Sequence, residues 1–214
     1  MTTPADPHAG QRVLRLGPRP REARLSAILI HGRGASAEDI LGLAREFATT
    51  DVAYLAPQAA GNTWYPYSFL SPIPQNEPWL TSALGTIGGL VASLAGEGVA
   101  AERVAILGFS QGACLTLEFA ARNPRRYAAA IGLSGGLIGT PGTRRTYTGS
   151  LDATPVFLGC SDVDAHIPVE RVRESAAVLR TMKATVDERI YRGMGHTVNS
   201  HEVDAVRSLL SAPA

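Results

Sequence analysis

Lysine is almost absent from this 214-residue chain: Lys183 stands alone, and every other member of its Lys-plus-Arg complement of 20 is arginine. With 19 acidic residues the formal charge is only +1, and no basic face is clustered. That balance removes the electrostatic case for a nucleic-acid partner or for stable association with an anionic membrane. Cysteine is scarce as well. Cys114 and Cys160 lie far apart, with no C-x-x-C or metal-finger spacing, so neither a disulfide framework nor a zinc module is indicated. Two buried thiols in a reducing compartment are expected instead. The opening stretch from Met1 to Val13 contains an acid and two prolines but no apolar core of a signal peptide. No run is expected to reach the length of a membrane span, which makes the cytoplasm the default location. Internal repeats are also missing.

What is present fits one α/β domain large enough to bury a substantial core. Residues 1–10 are expected to be disordered, and residues 1–24 as a whole form a tail in which Val13-Leu14-Arg15-Leu16 alternates like an edge strand. The catalytic domain is expected to run from 25 to 214. Ala27 to Ile30 is a continuous apolar run, as for a strand covered on both faces. Ser36-Ala37-Glu38-Asp39 resembles a capping box opening a helix to about Ala48. Further strands are read at Ala53 to Leu55, Val104 to Leu107, Ala128 to Leu133, Pro155 to Gly159 and Val186 to Tyr191. Helices are read from about Glu77 to Ala95, from the residues after Ser110 to Asn123, from Val169 to about Met182, and over Val198 to Leu210. Strands alternating with helices in this way predict a mostly parallel sheet covered on both faces. Ligands in such sheets bind beyond the carboxyl ends of the strands.

The chemistry centres on Gly108-Phe109-Ser110-Gln111-Gly112, a G-x-S-x-G match. It follows an apolar strand and precedes a helical pattern, the context in which the motif is a nucleophile elbow. A second match, Gly132-Leu133-Ser134-Gly135-Gly136, also follows a strand. The Gly- and Pro-punctuated stretch after it cannot open a helix, so Ser134 is read as a strand-end turn.

A serine hydroxyl needs a base, and in this architecture the acid and the histidine follow the nucleophile in that order. His196 lies in the Gly-flexed loop Arg192 to His196, directly after the last strand, and is the expected base. The acid comes from Gly159 to Pro168, where Asp162 and Asp164 both qualify. Asp164 is preferred because it stands just before the turn into the Pro168 helix, leaving Asp162 to order the loop. The backbone N–H groups of Gln111 and Arg33 are the expected oxyanion donors, the latter from the loop His31-Gly32-Arg33-Gly34. Between Pro57 and Pro78 lies a loop rich in aromatics. Trp64, Tyr65, Tyr67, Phe69 and Trp79, in or beside it, are expected either to plug one end of the core or, some of them, to wall an acyl or aryl pocket, with Trp64, Tyr65, Phe69 and Trp79 as the pocket candidates, and the two are compatible. The D-x-D-x-H spacing of Asp162, Asp164 and His166 with His196 superficially invites a metal, but nothing else in the sequence corroborates one. A non-catalytic binding protein on the same fold is the alternative of another class.

At these residues the sequence resembles the phospholipase/carboxylesterase family of α/β hydrolases, which includes the acyl-protein thioesterase-like enzymes. The resemblance rests on His31 to Gly34, on Gly108 to Ala113, on Gly132 to Gly135, on Asp164 to Pro168 and on Gly193-Met194-Gly195-His196. It implies an α/β-hydrolase fold without a large cap domain. It also implies Ser110, Asp164 and His196 as a triad with Arg33 and Gln111 as backbone oxyanion donors. Hydrolysis of carboxylic esters or thioesters, without a cofactor or metal, follows from the same resemblance. The acyl-protein thioesterases carry a hydrophobic residue where this chain has Arg33, and a Trp-Phe-Asp stretch where it has Trp64-Tyr65-Pro66. These departures favour a small-molecule carboxylesterase over a protein deacylase, with thioesterase or lysophospholipase activity as the alternatives. The sequence leaves the oligomeric state open, a homodimer among the options.

Overall fold

Runs of small and branched apolar residues, too short for helices, build the middle of the molecule. In the computed structural model, which describes residues 6–212, they form a seven-stranded sheet. The strands are β1 (Val13–Leu16), β2 (Leu25–Ile30), β3 (Val52–Pro57), β4 (Val104–Phe109), β5 (Ala129–Leu133), β6 (Pro155–Ser161) and β7 (Thr185–Tyr191). Their order is β1-β3-β2-β4-β5-β6-β7, and every pairing is parallel except that of β1 with β3. All six residues of β2 and of β3 are buried, as are all five of β5, because helices cover both faces there. β7, an edge strand, alternates exposed and half-buried residues, with Asp187 and Arg189 on its open side. Charges there discourage pairing with another sheet.

Five helices cover the sheet: α1 (Ala37–Glu46), α2 (Trp79–Gly96), α3 (Gln111–Arg122), α4 (Val169–Thr181) and α5 (Ser200–Ser211). α2, α3 and α4 pack with Ile28, Ile106 and Leu158 on one face; α1 and α5 pack with Leu29, Leu107 and Phe157 on the other. The alternation of partners along each strand is the period-two geometry of the extended chain. α1 opens on the capping box read from the sequence: Ser36 accepts from the Asp39 N–H while Asp39 accepts from the Ser36 N–H. It stops at Glu46, short of Ala48, whose φ of 52° cannot continue a helix. α5 opens at Ser200 behind a second box between Asn199 and Glu202, which leaves Val198 in the loop before it.

Three features depart from the sequence reading. Residues 6–10, expected to be disordered, are docked. His8 is buried, takes the Ala60 N–H on Nδ1 at 3.1 Å and contacts the Trp64 carbonyl through Nε2 at 3.0 Å. α2 does reach the length and apolarity of a membrane span, contrary to expectation, since its 18 residues include no charge. Its Leu80, Ala83, Ile87, Val91 and Leu94 stripe is nevertheless buried in the core, as suits a helix of a packed layer. Finally, α3 is buried from Gln111 to Ala121, far more than the one face its spacing suggests. The cause is the long connection between β5 and β6, which folds over α3 without a helix of its own. Buried Glu118 anchors it, accepting from Arg122 Nε at 2.7 Å, the Tyr147 hydroxyl at 2.9 Å and the Ile138 N–H at 3.0 Å. Arg171 donates to the carbonyls of Leu137 and Gly139, both at 2.7 Å. Paired charges of this kind are tolerated inside a protein only when so satisfied.

Candidate active site

The carboxyl ends of β4, β6 and β7 bring three loops together. β4 runs into α3 through Ser110, whose φ of 55° and ψ of −116° are strained for a residue with a side chain. The turn exists because its flanking residues are glycines. A Cβ at Gly108 would collide with the backbone of Gly112, and one at Gly112 with the carbonyl of Ile30 on β2. The Ser110 N–H is tied to the Leu133 carbonyl at 2.9 Å. Ser110 thereby projects from the sheet at the N-terminus of a helix, where the backbone field favours negative charge.

His196 arrives from the loop after β7. Its Nε2 lies 2.8 Å from Ser110 Oγ and its Nδ1 lies 2.7 Å from Asp164 Oδ2. Asp164, at the turn after β6, also accepts the N–H groups of His166 at 2.8 Å and Ile167 at 3.0 Å through Oδ1. Burial pushes the Asp164 carboxyl up, but the hydrogen bonds from His196 and these two amides outweigh it and hold its pKa below the usual value. The neighbouring Cys160 thiol points at Asp164 Oδ2 from 3.8 Å, and burial pushes that thiol up to about 12, so it stays protonated. Asp162 faces elsewhere. Its Oδ1 accepts the Gly193 N–H at 2.8 Å and so ties the Asp164 loop to the His196 loop.

A buried carboxyl lies between α5 and β6. Glu202, fully buried in the first turn of α5, accepts the Asn199 N–H through Oε2 at 3.0 Å, while its Oε1 has no hydrogen-bond partner among the described residues. It fits against β6 only because Gly159 has no side chain there. Burial pushes its pKa up to about 7.

Around Ser110 lies a cavity of about 400 Å³. Arg33 and Gln111 line it beside Ser110 and His196, and Tyr65 and Phe69 form part of its wall. Trp64 and Trp79 do not reach it. Trp64 is fully buried, donates its indole N–H to the His31 carbonyl at 3.0 Å and stacks at 5.0 Å on the His31 ring, while Trp79 packs at 5.4 Å on His8. The plug and the pocket wall are thus different residues of one loop. That loop is held from the site itself. Gln111 Oε1 takes the Trp64 N–H and Nε2 donates to the Tyr65 carbonyl, both at 2.9 Å. The Arg33 guanidinium donates to the carbonyls of Tyr65, Pro66 and Tyr67 at 2.7 to 2.9 Å.

Tyr67 of the aromatic loop lines it too, and five further lining residues escaped the sequence reading as pocket residues: Pro66, Ser68, Cys114, His166 and Ile167. Cys114 carried the one usable signal, since a residue four after Ser110 on a helix shares its face. Its thiol is pushed up to about 12 by burial, which leaves it an inert part of the wall. His166 stands edge-on to His196, ring centres 4.8 Å apart. Among the described residues no three His, Cys, Asp or Glu side chains are disposed to hold a metal ion. Buried His31 supports the loop before Arg33: Nδ1 donates to the Gly32 carbonyl at 2.7 Å and Nε2 accepts the Ala59 N–H at 3.1 Å. Burial lowers its pKa, which keeps the ring neutral in that role. The arrangement as a whole is a hydroxyl in line with an imidazole and a carboxylate, at a helix N-terminus, opening on a half-apolar cavity.

The phospholipase/carboxylesterase family model matches residues 18–213. A crystal structure of a phospholipase/carboxylesterase from Dyadobacter fermentans superposes with a TM-score of 0.90 at 39% identity, over 95% of this chain and 97% of that one. A probable carboxylesterase, SOBER1-like, of Arabidopsis thaliana is 24% identical over 205 residues, 88% of this chain and 78% of its own length. Acyl-protein thioesterase 1 of Eremothecium gossypii is 24% identical over 225 residues, 93% of this chain and 92% of its own.

Proposed function

Given that this chain belongs to the phospholipase/carboxylesterase family, we propose that it is a serine carboxylesterase acting on small or medium carboxylic esters in the cytoplasm. It has the α/β-hydrolase fold, with no large cap domain among its described residues. We assign residues 25–214 to one catalytic unit. The carrying observation is the chain of contacts from Ser110 Oγ to His196 Nε2 at 2.8 Å and from His196 Nδ1 to Asp164 at 2.7 Å.

In this reading His196 takes the Ser110 proton as Oγ attacks the ester carbonyl. The carbonyl oxygen gathers charge facing the backbone N–H groups of Gln111 and Arg33. As the carbon–oxygen bond to the alcohol breaks, His196 passes the proton to the departing oxygen. Water, deprotonated by the same imidazole, then releases the acid from Ser110. Asp164 keeps His196 in the tautomer that presents Nε2 as the base and stabilises the imidazolium without taking its proton. The acyl group occupies the cavity lined by Tyr65 and Phe69. Its modest volume favours short and medium acyl chains over the long chains of a lysophospholipase or a protein deacylase.

The test is labelling with a fluorophosphonate and mass spectrometry of the modified peptide. Adduct on the Ser110 peptide, lost in His196→Ala, together with an ester-hydrolysis kcat reduced about 10⁶-fold in Ser110→Ala, is the expected result. A Ser110→Ala protein keeping a tenth of its activity sinks the assignment. Absence of adduct favours a non-catalytic binding protein.

A further inference from the structure

A second cavity, of about 380 Å³, lies beside the reaction centre. Its lining includes Gly32, Ile40, Leu43, Phe109, Thr197 and Val198, and His196 lines both cavities. Phe109 packs against His196 with ring centres 5.0 Å apart. Gly32 lines this cavity and lies close to the serine: a Cβ there would rest in ordinary contact, 3.4 Å from the Phe109 ring and 3.5 Å from Ser110 Cβ.

The chemistry distinguishes the two spaces. At the tetrahedral carbon the acyl substituent and the departing oxygen point in different directions. The first cavity is lined by Ser110 and Gln111 together with Tyr65, Phe69 and Cys114. The departing oxygen must face His196 Nε2 to receive its proton, so the group it carries runs past the imidazole. The space on that side is walled by leucine, isoleucine, valine and phenylalanine. Its one acidic lining residue, Asp39, already accepts from the Ser36 N–H and hydroxyl. Resting on the esterase reading above, we propose that this second cavity binds the alcohol portion of the substrate and selects an uncharged alkyl or aryl alcohol. An anionic alcohol, such as a phosphorylated glycerol, would bring its charge towards the Asp39 carboxylate and is disfavoured.

In the step concerned the Ser110 Oγ–carbon bond forms and the carbon–alcohol oxygen bond breaks. The serine proton leaves on the alcohol through His196, so atoms and charge balance without a co-reactant. Each methylene buried in such a cavity strengthens binding by up to roughly fourfold.

Two ester series test this: methyl to hexyl acetate, which varies the alcohol, and methyl acetate to methyl hexanoate, which varies the acid. Each is measured with the wild-type protein and with Leu43→Trp. Leu43 is half-buried on α1, and the larger ring reaches into the cavity. The wild-type kcat/KM ratio of hexyl to methyl acetate is expected to be on the order of 30 or more, and Leu43→Trp to cut that ratio about tenfold. The ratio of methyl hexanoate to methyl acetate should hold within about twofold, since Leu43 does not line the first cavity. Competitive inhibition of wild-type methyl acetate hydrolysis by 1-hexanol is a second readout that needs no variant. A hexyl-to-methyl ratio untouched by Leu43→Trp, a change confined to the acid series, or no inhibition by hexanol overturns the alcohol site while leaving the esterase standing. Failure to hydrolyse any member, with no fluorophosphonate adduct on Ser110, removes both.

Discussion

Asp164 and Asp162 stand two residues apart on one loop and do different work. Asp164 touches the imidazole; Asp162 holds a backbone amide of the loop that carries it. Asp164→Asn is therefore expected to lower kcat about 10⁴-fold, because a side-chain amide can hold His196 in the wrong tautomer. Asp162→Asn keeps a carbonyl oxygen that can accept the Gly193 N–H and should cost far less. Steady-state kinetics on the two variants separate them, and equal losses would mean that the acid has been misassigned. The meeting of Ser110, Asp164 and His196 was legible in the sequence because each follows a strand and is marked by glycine or by a nearby proline turn. The aromatic residues carried no such marker. Nothing in the sequence order says that Trp64 turns inward to His31 while Tyr65, its neighbour, lines the cavity, since adjacent residues of an irregular loop have no fixed period.

At the level of elements, the loop after β3 is fastened to the site by side chains rather than by a sheet or helix ladder. Arg33 alone holds three of its carbonyls. Replacing it in Arg33→Met leaves the backbone N–H intact but releases those carbonyls, at a cost of about 1 kcal/mol for so exposed a group. Hydrogen exchange at residues 65–69 should quicken and KM should rise several-fold with kcat changed less. Unchanged exchange would show that Gln111 suffices to hold the loop. The strand and helix succession was readable from apolar runs and spacing, with ends displaced by one or two residues where a cap or a positive φ decided them. The helix-free cover over α3 was not, because it depends on Glu118 and Arg171, charged residues that ordinarily signal a surface. The docking of His8 was hidden for a similar reason: a polar residue in a proline-rich segment reads as solvated until its partners at Trp64 and Ala60 are known.

For the molecule as a whole, Glu202 makes stability depend on pH in an unusual direction. Its folded pKa, about 7, lies above the unfolded 4.5. The stability linked to it is fully present below the unfolded value and is lost as pH rises through the folded one, by about 3 kcal/mol at most. His8 and His31, whose pKa values burial lowers, work in the opposite sense, losing stability as pH falls through the imidazole range. Glu202→Gln isolates the carboxyl: between pH 5 and 8 its melting temperature should fall less steeply with pH than that of the wild type. Parallel curves would mean that Glu202 titrates like an exposed acid. Lys183 offers a different kind of handle. It is exposed in the turn between α4 and β7, at the amino end of the parallel strands, and β7 carries the chain roughly 20 Å from there to the end where His196 begins its loop. A molecule coupled to an amine-reactive bead or sensor surface through this side chain, rather than through an α-amine, would turn the cavity around Ser110 away from the support and towards the flowing solution.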